Sequence, residues 1–114
     1  MVQSRRRVYG RHMFLVVFRN RKRADIDPAV YDAESARMED MARDQPGYRS
    51  FKSYVADDGE TIALSEWDDE ASARGWGRVA EHAVAQANGR ERYYASYTLY
   101  ACPDPRTPRF ERQA

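Results

Sequence analysis

Cysteine is almost missing from this chain: Cys102 stands alone among 114 residues, so there is no internal disulfide, and one thiolate cannot build a metal site of its own. With only His12 and His82 as histidines, Cys/His metal spacings are missing too, as are glycine-rich phosphate cradles and nucleophile elbows. No apolar run approaches the roughly 20 residues of a spanning helix, and the basic start is not followed by a signal-like apolar core. A protein of the reducing cytoplasm, with no membrane partner, is expected. Lysine is scarce as well, two residues against seventeen arginines, yet acids cancel the bases to a net charge of +1. That balance argues against wholesale phosphate neutralisation, and nucleic acid is not an expected partner. The local excess of Arg5, Arg6, Arg7, Arg11, Arg19, Arg21, Lys22 and Arg23 reads as a solvated, arginine-rich surface rather than a phosphate site.

What the chain does contain is enough for one core. Residues 1–11 are polar and aperiodic and read as a flexible basic arm. His12 to Arg19, HMFLVVFR, is β-branched and aromatic, as expected of a strand buried on both faces. Asp25-Ile26-Asp27-Pro28 supplies a capping carboxylate and a first-turn proline, and Tyr31, Met38, Met41 and Ala42 recur near helical spacing until Pro46-Gly47 stops the run. Tyr48 to Ala56 alternates, with Phe51 and Val55 assigned to one face and Tyr48 and Tyr54 to the other. Asp57-Asp58-Gly59-Glu60 is a hairpin turn and Thr61 to Trp67 the return strand. Asp68, Asp69 and Glu70 favour a helix start, Gly75 and Gly77 are expected to break that helix, and Gly89 is a natural cap after Asn88. Tyr94 to Cys102 is a last strand, so residues 12–103 form the domain and 104–114 a Pro/Arg-rich tail.

Strand, helix, strand, strand, helix, strand is the α+β, ferredoxin-like β-α-β-β-α-β order: a four-stranded antiparallel sheet with both helices on one face. The bare face, expected to carry aromatics including Tyr48 and Tyr54, predicts a homodimer formed sheet to sheet.

The densest functional signal is Ser65 to Tyr97, which holds both tryptophans, His82, and the Gly89-Arg90-Glu91-Arg92-Tyr93-Tyr94 run. Together with MFLVVFR, Gln45-Pro46-Gly47-Tyr48, DDGE, LSEW and DDEAS in that order, it resembles the antibiotic biosynthesis monooxygenase family of dimeric ferredoxin-like α+β barrels, over Met13 to Ala101. The resemblance implies a small, often polycyclic, aromatic or phenolic ligand and oxygen chemistry. In the cofactor-free branch an ionised phenol or anthrone reduces dioxygen itself, so the protein need only hold the anion, exclude water and stabilise developing charge. Of the groups that branch uses, Trp67 matches, while its asparagine falls on Ala63 and its arginine on Gln86. The haem-degrading branch implies a histidine ligand at the same Gln86 and an asparagine on the first strand, where Asn20 stands. Glutamine ligates haem iron poorly, so no cofactor is expected and haem is disfavoured.

The residue assignments follow. Trp67, His82 and Arg92 are candidate catalytic groups: Trp67 and Arg92 to position the ring, His82 to move a proton near neutrality. Each has a plainer reading, as core indole, solvated histidine and helix-dipole cation. Phe51, Trp76, Gln86, Tyr94, Tyr97 and Asn20 are candidate substrate contacts; among Tyr93, Tyr94 and Tyr97 one is expected to line the pocket and the others to pack. The paired carboxylates Asp57-Asp58 and Asp68-Asp69-Glu70 are explained by turn and cap positions. A cofactor-independent monooxygenase and a non-catalytic binding protein of the same family are both compatible with these residues.

Overall fold

The computed structural model describes residues 12–87 and 94–113, with side chains up to residue 81 and again from residue 94. Six elements follow in chain order: β1 (Phe14–Lys22), α1 (Pro28–Arg43), β2 (Tyr48–Val55), β3 (Thr61–Trp67), α2 (Glu70–Ala87) and β4 (Tyr94–Pro103). The strands form one antiparallel sheet in the order β2-β3-β1-β4. This is the ferredoxin-like fold, with its two helices on one face.

The local chemistry of the chain explains most of the boundaries. Asp27 caps α1 by accepting the Ala29 N–H at 2.9 Å, with Pro28 in the first turn where its missing N–H costs nothing. Gly47 adopts φ +80°, and its carbonyl accepts the Asp68 N–H at 2.8 Å, pinning the start of β2 to the end of β3. Asp69 starts α2 by accepting the Ser72 N–H at 2.8 Å, a bond that holds its carboxyl below the usual aspartate range. At the far edge Asp104 accepts the Met13 N–H at 3.0 Å and returns its own N–H to the Met13 carbonyl at 2.8 Å, tying the end of β4 to the start of β1.

Phe14, Ala42, Trp67, Ala73 and Trp76 form the buried core between helices and sheet, with Met38, Met41, Tyr48, Phe51 and Val79 packed around them. Fully burying an indole of roughly 200 Å², as at Trp67, contributes on the order of 5 kcal/mol before conformational entropy. On the other face lie Leu15, Val17, Ile62, Leu64, Tyr54 and Tyr100, ordered by the pairs Val17 with Leu64 and Tyr100, and Tyr54 with Ile62. In the single chain these are partly or wholly exposed, so burial of β1 on both faces, as its composition suggests, requires a second surface over this one.

Two expectations are corrected. Tyr48 faces the helices, edge-on to Trp67 at 5.8 Å, because the register shift between Tyr48 and Ser50 adds a residue and reverses the alternation. Helix α2 runs unbroken through Gly75 and Gly77. Each glycine costs the helix about 1 kcal/mol relative to alanine, and packing of Ala73, Trp76 and Val79 against the sheet outweighs it.

Candidate functional site

Between the helices and the sheet lies a cavity of about 630 Å³, within the range of small-molecule sites. Its floor is the helix-facing side of the sheet: Phe14, Val16, Phe18 and Asn20 from β1, Phe51 and Ser53 from β2, Thr61, Ala63 and Ser65 from β3, and Tyr97, Leu99 and Ala101 from β4. Tyr31 and Met38 of α1 and Ala73, Trp76 and Gly77 of α2 form its roof. The period-2 alternation of four strands puts these side chains on one surface, and most are apolar.

The two ends differ. At the Phe14 end the wall is layered aromatic: Phe51 meets Trp76 edge-on at 6.2 Å, and Trp76 stacks on Trp67 with centroids 6.1 Å apart and planes 22° from parallel. Trp67 is fully buried behind this wall and does not line the cavity; its Nε1–H is donated to the buried Ser65 Oγ at 2.9 Å.

At the other end the lining turns polar. Asn20 is only 3% exposed, and its Oδ1 accepts a hydrogen bond from Lys22 Nζ. That ammonium lies 4.2 Å from the Tyr31 ring centroid and 5.9 Å from that of Tyr94. Burial among these groups pushes the Lys22 pKa down to about 8, opposed by the attraction of Asp32. Tyr94 and Tyr97 both meet Phe18, at 5.5 and 5.4 Å, and contact each other at 5.8 Å. Residues three apart in a regular strand point to opposite faces. Here the register shift that pairs Arg21 with Ser96 but Lys22 with Tyr94 leaves Ala95 as an extra residue and brings both tyrosines to the cavity.

Five of the residues singled out in the sequence, Asn20, Phe51, Trp76, Tyr94 and Tyr97, thus line one cavity. His82 and Gln86 belong to α2, but their side chains, like all of Arg92, lie outside the described residues. Lys22 and Tyr31 were not anticipated. Alternation along β1, counted on from Phe14 through Asn20, is the signal that places Lys22 on the cavity face. Charged pairs at the rim, such as Arg74 with Glu70 at 2.7 Å and Arg37 with Glu34 at 2.9 Å, are exposed and contribute little to stability. Among the described residues no group of three or more His, Cys, Asp or Glu side chains could hold a metal ion, and no helix is long and apolar enough to cross a membrane.

Comparison with known proteins places this geometry in a family. The chain is 35% identical to the uncharacterized protein YqjZ of Bacillus subtilis (strain 168) over 69 residues, which span 60% of each protein. Its fold is similar to that of PA3566 from Pseudomonas aeruginosa, with a TM-score of 0.67 at 11% identity over 84% of this chain and 97% of the other. SnoaB from Streptomyces nogalater, a cofactor-independent oxygenase, is similar with a TM-score of 0.62 at 16% identity over 88% of this chain and 96% of its own. At such identities the structural likeness establishes the fold alone. The family model described as antibiotic biosynthesis monooxygenase matches residues 13–88. The chain therefore belongs to the antibiotic biosynthesis monooxygenase family.

Proposed function

We propose that this protein is a cofactor-independent monooxygenase that oxidises a small polycyclic phenol or anthrone with molecular oxygen. The observation that carries the reading is the cavity itself: about 630 Å³, aromatic along its walls, and polar at one end through Asn20, Tyr94 and Tyr97. A ring system slides between the Phe51 and Trp76 wall and the floor of Val16 and Phe18, with its oxygen at the polar end. Loss of the phenolic proton makes the ring electron-rich enough to pass one electron to dioxygen. Recombination of the resulting radical with superoxide forms a carbon–oxygen bond, and loss of water from the peroxide leaves the quinone. The substrate supplies all four electrons: a ring CH2 and O2 become C=O and H2O.

The carboxamide that the family resemblance expects at Ala63 has a near substitute in Asn20. Phe18 pairs with Ala63 and Asn20 with Thr61, so the two positions are one step apart on the same face. His82 and Arg92 remain assigned as proton carrier and ring-positioning cation, while Trp67 acts from behind Trp76 as its support. The enzyme works as a homodimer joined through the sheet face that bears Val17, Leu64 and Tyr100.

A second reading, a non-catalytic binding protein, is favoured by Ala63, a lining residue with no hydrogen-bonding group. Oxygen uptake with anthrones, corrected for spontaneous oxidation, separates the two: both readings predict binding, and only the first predicts saturable uptake with quinone formation.

A further inference from the structure

Around the polar end of the cavity the basic residues of β1 and its exit do not behave alike. Arg19 pairs with Glu60 at 3.0 Å, Arg21 with Asp58 at 2.7 Å and Arg23 with Asp25 at 2.7 Å. Lys22, between them and on the helix-facing side, has no carboxylate within ion-pair distance among the described residues; Asp32 of α1 acts on it only at longer range. Its ammonium is instead enclosed by the rings of Tyr31 from α1 and Tyr94 from β4 and bonded to Asn20 Oδ1. Half-burying a cation without a countercharge is costly, and burying an amide such as Asn20 is costly unless its groups are partnered. With its oxygen engaged by Lys22, the Asn20 carboxamide keeps its NH2 as a donor. Asn20, Tyr31 and Tyr94 line the cavity, and Lys22, which is not itself a lining residue, meets its polar edge through these rings and the bond to Asn20 Oδ1.

We propose that Asn20, Lys22, Tyr31 and Tyr94 form an oxyanion subsite that takes the ionised phenolic oxygen of the aromatic ligand, with the Lys22 ammonium as its countercharge. The inference rests on the aromatic-ligand reading above and adds where and in which protonation state the ligand's oxygen is held. A single ammonium beside one amide suits a lone oxygen, whereas carboxylate and phosphate groups are better met by a guanidinium fork. The neighbouring rings half-bury the ammonium, and the lower local polarity strengthens its attraction for an anion. The bound phenol consequently ionises more readily than in water, and the anion is the form that reacts with oxygen.

Alizarin, a polycyclic phenol whose visible spectrum changes on ionisation, tests this without turnover, and anthraquinone serves as the ring lacking a hydroxyl. Binding of alizarin to the protein is expected to lower its first ionisation midpoint by about one pH unit or more. Lys22→Met abolishes that shift and leaves anthraquinone affinity within about threefold, a change of under 1 kcal/mol, while Lys22→Arg retains most of the shift. Equal midpoints in the original protein and in Lys22→Met, with both dyes bound, overturn the subsite but leave the proposed function standing. Loss of anthraquinone binding along with alizarin binding in Lys22→Met overturns it too, since the side chain would then only support the cavity wall. If the original protein binds neither dye, the subsite and the aromatic-ligand reading fall together.

Discussion

Trp67 and Trp76 stack with their planes 22° from parallel, and only Trp76 reaches the cavity. The inner indole fixes the outer one: Trp67 is held by its bond to Ser65 and by the edge of Tyr48, so Trp76 presents a rigid wall. A preorganised wall lowers the entropy lost when a planar ligand docks.

Trp67→Phe removes the indole N–H, leaves the buried Ser65 hydroxyl without this donor and opens a void. A loss of about 2–4 kcal/mol in urea unfolding is expected. Affinity for a tricyclic ligand falls less than in Trp76→Ala, which removes the wall itself; titration of both variants with anthraquinone checks the order.

The depressed pKa of Lys22 has a sign that can be measured. Its folded value of about 8 lies below the ordinary lysine value of 10.5, so between these the unfolded chain binds more protons and stability rises with pH. Below about pH 8 the burial penalty is present in full, and it fades as pH approaches 10.5. Lys22→Met loses that penalty together with the Asn20 partner, so the stability of the original protein relative to Lys22→Met is expected to rise across this window. Chemical unfolding at pH 7, 8.5 and 10 reads it directly.

Two glycines make opposite predictions. A Cβ at Gly47 would collide with the Oγ and Cβ of Ser72, at a φ of +80° that disfavours any side chain. Gly47→Ala is expected to cost on the order of 1–3 kcal/mol. Gly75 lies in a continuous helix where an added Cβ meets only Arg78 Nη2, at 3.9 Å. Gly75→Ala is expected to stabilise by about 0.5–1 kcal/mol. Thermal unfolding of the two variants should move in opposite directions.

The open sheet face gives a prediction about assembly. Val17 sits at its centre, paired with Leu64 on one side and Tyr100 on the other. A charge there would be desolvated if two sheets meet, so Val17→Asp is expected to convert a dimer to monomers in sedimentation at micromolar concentration without loss of helix content. An original protein that sediments as a monomer would contradict the dimer.

The element order could be read from the sequence because strand alternation, the Asp27-Pro28 cap and the hairpin at Gly59 act over a few residues. The faces were harder to read. Tyr48 and Tyr94 each lie beside a one-residue register shift, and a bulge reverses facing without leaving a local mark in composition. Lys22 was hidden for a related reason: β1 runs three residues beyond Arg19, and the basic run there resembles solvated surface until the strand is extended through it. Gly75 and Gly77 misled because helix propensity is weak against the burial of Ala73 and Trp76. Asn20, Phe51, Trp76, Tyr94 and Tyr97 were legible as site candidates, and the geometry adds that all five share one cavity.

The measurement closest to the central claim is oxygen consumption by the purified, metal-free protein over a panel of anthrones and polycyclic hydroquinones, with spontaneous oxidation subtracted. The account predicts saturable uptake, one O2 consumed per quinone formed, and a rate that falls about tenfold or more in Asn20→Ala. Tight binding of the same compounds with no uptake above the spontaneous rate would contradict it and make the protein a binder of aromatic ligands rather than an oxygenase.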